Sequence, residues 1–141
     1  MADENLTTGR LEDQIGWYDR KSMSNQKNFK TFKTIEFILA GAIPVLAGLS
    51  APNWITAIIG AIAVLIESAV QMNQYQHNWL VYRSTCEDLK HEKYLYGARA
   101  GVYSSAGDPL KLLSERVEGL ISKEHAKWVS SREESDKSKK N

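Results

Sequence analysis

The fold class predicted for this chain is an all-α membrane protein: a two-helix transmembrane hairpin extended by amphipathic cytoplasmic helices and assembled as a homo-oligomer. Three observations predict it. Residues 34–82 carry only two formal charges, Glu36 and Glu67. That stretch can cross a bilayer twice, because one span needs about 20 mostly apolar residues for a hydrocarbon core of roughly 30 Å. All other charge falls in residues 1–33 and 83–141, where apolar residues recur at helical spacing. Averages over the whole chain conceal this division, since a net charge of +1 with 25% charged residues describes an ordinary soluble domain.

The first element is an arm, residues 1–33. Its start, MADENLTTGRLEDQ, is acidic and polar, with no basic segment leading into a short apolar core, so no cleaved signal peptide is expected. Leu11, Ile15, Tyr18, Met23 and Phe29 give it a loose amphipathic pattern. The hairpin, residues 34–72, places one span at about 34–50 and the other at about 54–72 around Ala51, Pro52 and Asn53. Pro44 lies mid-span, removes a backbone bond to Ala40 and predicts a bend, either a static kink or a gating hinge. Gly41, Gly48, Gly60 and Ala63 mark surfaces where helix backbones approach closely, a major source of association in lipid. Trp17, Trp54, Tyr75 and Trp79 flank the spans as interfacial anchors.

Span two is expected to continue unbroken into residues 73–130. Trp79, Tyr82, Cys86, Leu89, Tyr96 and Tyr103 follow at spacings of three and four, with Lys93 and Ala100 filling the same stripe. Gly97, Gly101 and residues 104–107 weaken and end that helix. Asp108 followed by Pro109 starts another, because Asp accepts from a free first-turn amide and Pro has no amide to leave unpaired. This last helix carries Leu110, Leu113, Val117, Leu120, Ile121 and Trp128. Trp79, Tyr82, Leu89, Tyr96, Leu113, Val117 and Trp128 are therefore the residues expected to assemble a cytoplasmic helical layer. Residues 131–141 lack apolar side chains and read as a disordered tail.

Orientation follows from Lys and Arg near the spans. Arg20, Lys21, Lys27, Lys30 and Lys33 precede span one, Arg83, Lys90 and Lys93 follow span two, and the connecting turn has none. Both termini are expected in the cytoplasm. The single cysteine, Cys86, supplies neither an intramolecular disulfide nor a thiolate metal site and reads as a small buried residue.

Glu36 and Glu67 stand equally far from the turn, so an antiparallel hairpin puts them at equal depth in the cytoplasmic third of the membrane. An acid there is costly unless it meets water or a partner, which makes it a functional candidate. Thr56, Gly60, Ala63, Glu67, Gln71, Gln74 and Asn78 succeed one another at helical spacing and describe a stripe that grows more polar toward the inner mouth. Glu67, Gln71, Gln74, Glu36, Thr56 and Gly60 are the expected ion pathway, and rings of such acids in at least a trimer would attract monovalent or divalent cations. The competing reading pairs Glu36 with Lys33 and Glu67 with a partner helix in a membrane-anchored interaction module that conducts nothing.

Signatures of catalysis are missing: no glycine-rich phosphate loop, nucleophile elbow or zinc-binding helix motif occurs, and neither enzyme activity nor a cofactor is expected. Glu87 and His91 are four apart but read as a solvated helix face rather than a metal site. Balanced charge in the arms gives nucleic-acid binding no support.

The segments RLEDQIGWYDRKS, RSTCEDLKHEKYLYGARAGVY and LSERVEGLISKEHAKW, set around a two-span hairpin, resemble the bacterial SLATT group of two-transmembrane effector domains associated with nucleotide-generating and nucleotide-sensing partners. The likeness covers about residues 10–133 and rests on Glu87, Glu92, Tyr96, Glu115, Arg116, Glu118, Glu124 and Trp128 in helical context. It implies a bacterial inner-membrane effector, acting by pore formation in conflict or stress responses with a cytoplasmic signalling partner.

Overall fold

The computed structural model describes the backbone of residues 2–138 and the side chains of residues 4–126, 129 and 130. Its elements are helical, with no strand among the described residues: α1 is Ala2–Gly48, α2 Asn53–Asn73, α3 Tyr75–Gly97 and α4 Pro109–Ser138, with a short 3-10 turn at Gly101–Tyr103. Contacts divide the chain into two compact units, Lys21–Leu80 and the chain on either side of it.

Arm and first span are one helix. No glycine or proline lies between Gly16 and Gly41, so the change of composition at Lys33 is not a break in α1, which also runs through Pro44. In the hairpin unit α1 and α2 are antiparallel, since Lys33 reaches Glu67 while Ile43 lies 4.0 Å from where a Cβ on Gly60 would stand. A tight turn closes α1. The amide of Ala51 donates to the Leu46 carbonyl (3.0 Å) and that of Ser50 to Ala47 (3.1 Å), with Ser50 left-handed at φ 55°. This is a Schellman arrangement with serine where glycine is usual.

The most apolar 18-residue windows of the two helical runs have mean hydropathies of 1.4 and 1.9, and only 0% and 6% of those windows is buried. Both helices are long and apolar enough to cross a membrane. Phe37, Ile38, Val45, Val64 and Leu65 all point outward, the reverse of a helix in the core of a soluble domain.

Span two does not continue unbroken. Gln74 adopts a left-handed conformation (φ 49°) between α2 and α3, and its amide donates to Gln71. The break is tolerated because the Asn78 side chain donates to the Asn73 carbonyl at 3.0 Å, supplying a bond the helix no longer makes. Regular helical geometry is interrupted at that one residue.

In the other unit the start of α1, most of α3, the 3-10 turn and α4 enclose a core of Leu11, Tyr18, Cys86, Leu89, Tyr103, Leu113 and Val117, with Ile15, Tyr82, Tyr96, Leu120 and Ile121 packed on it. These contributions repeat at three and four residues along each helix, so each buries one stripe. Lys93 is exposed and Glu92 is buried in its stead. Met23 is exposed, and Trp17 packs edge-on against Tyr18 and Tyr82 within this unit. The end of α3 repeats the Schellman pattern, with Arg99 left-handed at φ 50° and the Ala100 amide bonded to Leu95 at 3.0 Å. Asp108 caps α4 as its sequence predicts, accepting from the Lys111 amide at 3.0 Å. Helix α4 carries on to Ser138, past the point where the sequence reading ended it at 130. No proline follows Pro109 and no glycine follows Gly119, so nothing in the polar stretch interrupts the helix. Residues 139–141 of the expected tail and the side chain of Trp128 lie outside the described residues.

Candidate functional site

Equal spacing of the two glutamates from a four-residue turn, in an antiparallel pair, brings them to one level, and Lys33 stands there with them. Its Nζ donates to Glu36 Oε2 at 2.9 Å, one turn along α1, and to Glu67 Oε2 at 2.5 Å on α2. The second oxygen of Glu67 accepts from Gln71 Nε2 at 2.8 Å. The three charged side chains are 27%, 21% and 34% exposed for Lys33, Glu36 and Glu67, so each is held in the seam and none is sealed. Two carboxylates share one ammonium, which leaves the cluster with one surplus negative charge.

Beside Glu67 lies an open recess of about 410 Å³, walled in part by Lys33, Gln71, Gln74, Gln76 and His77. Its amide and imidazole groups can offer oxygen and nitrogen lone pairs to a cation. Of the expected ion pathway, then, Glu67, Glu36, Gln71 and Gln74 are brought together at one end of the hairpin. Thr56 and Gly60 are not part of that cluster: Gly60 lies against Ile43 in the seam, and the Thr56 hydroxyl donates to the Asn53 carbonyl at 2.8 Å. Among the packing residues, Gly60 and Ala63 are half-buried, while Gly41, Pro44 and Gly48 are exposed and a Cβ at either glycine would meet nothing.

A second polar cluster holds the other unit together. Glu92 on α3 is 4% exposed and receives both Nε (2.8 Å) and Nη2 (2.6 Å) of Arg116 on α4, while the Tyr103 hydroxyl donates to it at 2.6 Å. The Arg116 bonds hold the Glu92 carboxyl below the usual carboxylate range, against the opposing effect of burial. Burial, reinforced by the bond to Glu92, pushes the Tyr103 phenol up. Sequence reasoning used Glu92 only as one of the residues that carry the family likeness and gave it no partner. The available signal was its position, because Thr85, Leu89, Glu92 and Tyr96 share one face and an acid on an apolar stripe requires a partner.

The expected assembly residues Tyr82, Leu89, Tyr96, Leu113 and Val117 form this unit's own core or pack on it. Trp79 belongs to the hairpin unit, where its carbonyl accepts from Ser22 at 3.3 Å. Glu87 bonds Arg83 at 2.9 Å, and no group of three metal-ligating side chains occurs among the described residues. Cys86 is fully buried, its Sγ 3.6 Å from the Ile15 carbonyl.

A family model described as a protein of unknown function (DUF4231) matches residues 13–109, a span that holds Lys33, Glu36, Glu67, Glu92 and Tyr103 and stops short of Arg116. No curated protein and no solved structure matches the chain.

Proposed function

The chain belongs to the DUF4231 family, whose function is unknown, and we propose that it is a two-span protein of the bacterial inner membrane, both termini cytoplasmic, whose homo-oligomers pass cations. The observation that carries this reading is the surplus carboxylate at one end of an outward-facing apolar hairpin, open to a recess lined by amides. In hydrocarbon an unmatched carboxylate is costly unless water or a mobile cation can reach it. One hairpin cannot surround an aqueous path, so several copies, at least three, must do so. The exposed small residues Gly41 and Gly48 offer close approach between copies.

A second reading is favoured by one observation: Lys33 already bonds both acids, which is what a hairpin staple needs. On that reading the hairpin is a non-conducting membrane anchor that displays the helical arm to a cytoplasmic partner. Selectivity separates the two. The Glu67→Gln protein in planar bilayers should retain oligomer size while its preference for cations over anions falls. An unchanged reversal potential in a conducting Glu67→Gln oligomer would remove Glu67 from the ion path.

A further inference from the structure

Residues 20–35 contain Arg20, Lys21, Lys27, Lys30 and Lys33 and no acidic residue. In the whole hairpin unit, Lys21–Leu80, the only carboxylates are Glu36 and Glu67, and both are engaged by Lys33. Lys27 and Lys30 consequently have no ion-pair partner among the described residues. They are three apart on one face of α1 and, with Ser24, Gln26 and Thr31, line a shallow recess of about 540 Å³. Thr31 is exposed beside them.

Their height along the helix is informative. Lys30 and Lys27 precede the apolar run at residue 34 by four and seven residues, about 6 and 10 Å at 1.5 Å per residue. That is the layer where phospholipid headgroups lie outside the hydrocarbon core. Just beyond it the exposed side chains of Ile35 and Ile38 begin the outward-facing apolar surface. A free anion would gain only the lysines, whereas an anionic lipid gains the lysines through its phosphate and the apolar face through its chains.

We propose that Lys27 and Lys30, assisted by the Thr31 hydroxyl, form a headgroup site for an anionic phospholipid of the cytoplasmic leaflet. This rests on the membrane-spanning reading above. Ammonium and hydroxyl groups donate to phosphate oxygens, and the acyl chains run along the face of α1 that begins at Ile35.

The test uses the full chain in vesicles mixing phosphatidylcholine with phosphatidylglycerol, followed by measurement of the lipid retained after detergent extraction. The parent protein should retain phosphatidylglycerol preferentially. Lys27→Gln with Lys30→Gln should lower that preference by about fivefold per lysine. The paired Lys→Arg variant should keep it, as should Lys111→Gln on α4. Equal preference in the parent and the double Gln variant, with both proteins still floating with the vesicles, would overturn the headgroup site. Displacement of the lipid by millimolar inorganic phosphate would also overturn it, in favour of a soluble anion. A parent protein that does not float contradicts the membrane reading itself, a result distinct from loss of lipid preference.

Discussion

At Glu92 and Arg116 the two halves of one ion pair stand in different surroundings, and the difference predicts unequal mutations. The Glu92 side chain is 6% exposed and that of Arg116 43%. Arg116→Ala leaves a buried carboxylate without its cation, held only by the Tyr103 hydroxyl, and should destabilise the unit by about 3 kcal/mol. Glu92→Gln leaves a guanidinium that can turn to solvent, for a smaller cost of about 1–2 kcal/mol. Urea unfolding followed by tyrosine near-ultraviolet signal measures both, and equal costs would contradict the asymmetry. The pH dependence has a definite sign. Arg116 lowers the folded-state pKa of Glu92, so this contribution is present above the unfolded-state value and is lost as pH falls through the folded one. The unit should therefore loosen below about pH 4, and Glu92→Gln should shrink that acid transition. Sequence alone could not reach this pair, because the partners are 24 positions apart and only the packing of α3 on α4 joins them.

For the helices themselves, legibility followed the strength of the local chemistry. Asp108 and Pro109 announce a helix start through bonding that needs no tertiary context, and that cap is present. The ends of α1 and α3 were marked by Pro52 and Gly97, but the left-handed residues themselves, Ser50, Gln74 and Arg99, carried no sign, because that conformation is ordinarily announced by glycine. Equal depth of Glu36 and Glu67 could be counted from the turn, but their common partner required the register that sets α1 against α2. Glycines make a prediction at this scale. Gly60 meets Ile43 in the seam whereas Gly41 faces open space. Gly60→Ile should splay the hairpin and raise protease sensitivity, while Gly41→Ile should leave the hairpin intact and reduce the oligomer in light scattering. The same effect from both would deny that the two glycines serve different contacts.

Across the whole molecule, a polar, well-packed helical unit is joined to a hairpin whose apolar faces are left outward. The charge count around the two apolar helices predicts both termini on the cytoplasmic side. A cysteine at Asn53 should react with an impermeant thiol reagent applied to intact cells and one at Ser138 should not. The native Cys86 will not confuse the result, being fully buried. Labelling at 138 with protection at 53 would invert the topology.

The central claim, that copies of this hairpin pass cations, is tested most directly by thallium influx into liposomes containing only the purified, oligomeric protein. The account predicts influx well above that of protein-free liposomes, dependent on the charge of Glu67 and reduced in Glu67→Gln. Oligomeric protein that is inserted in the bilayer yet admits no thallium at any applied voltage would contradict it.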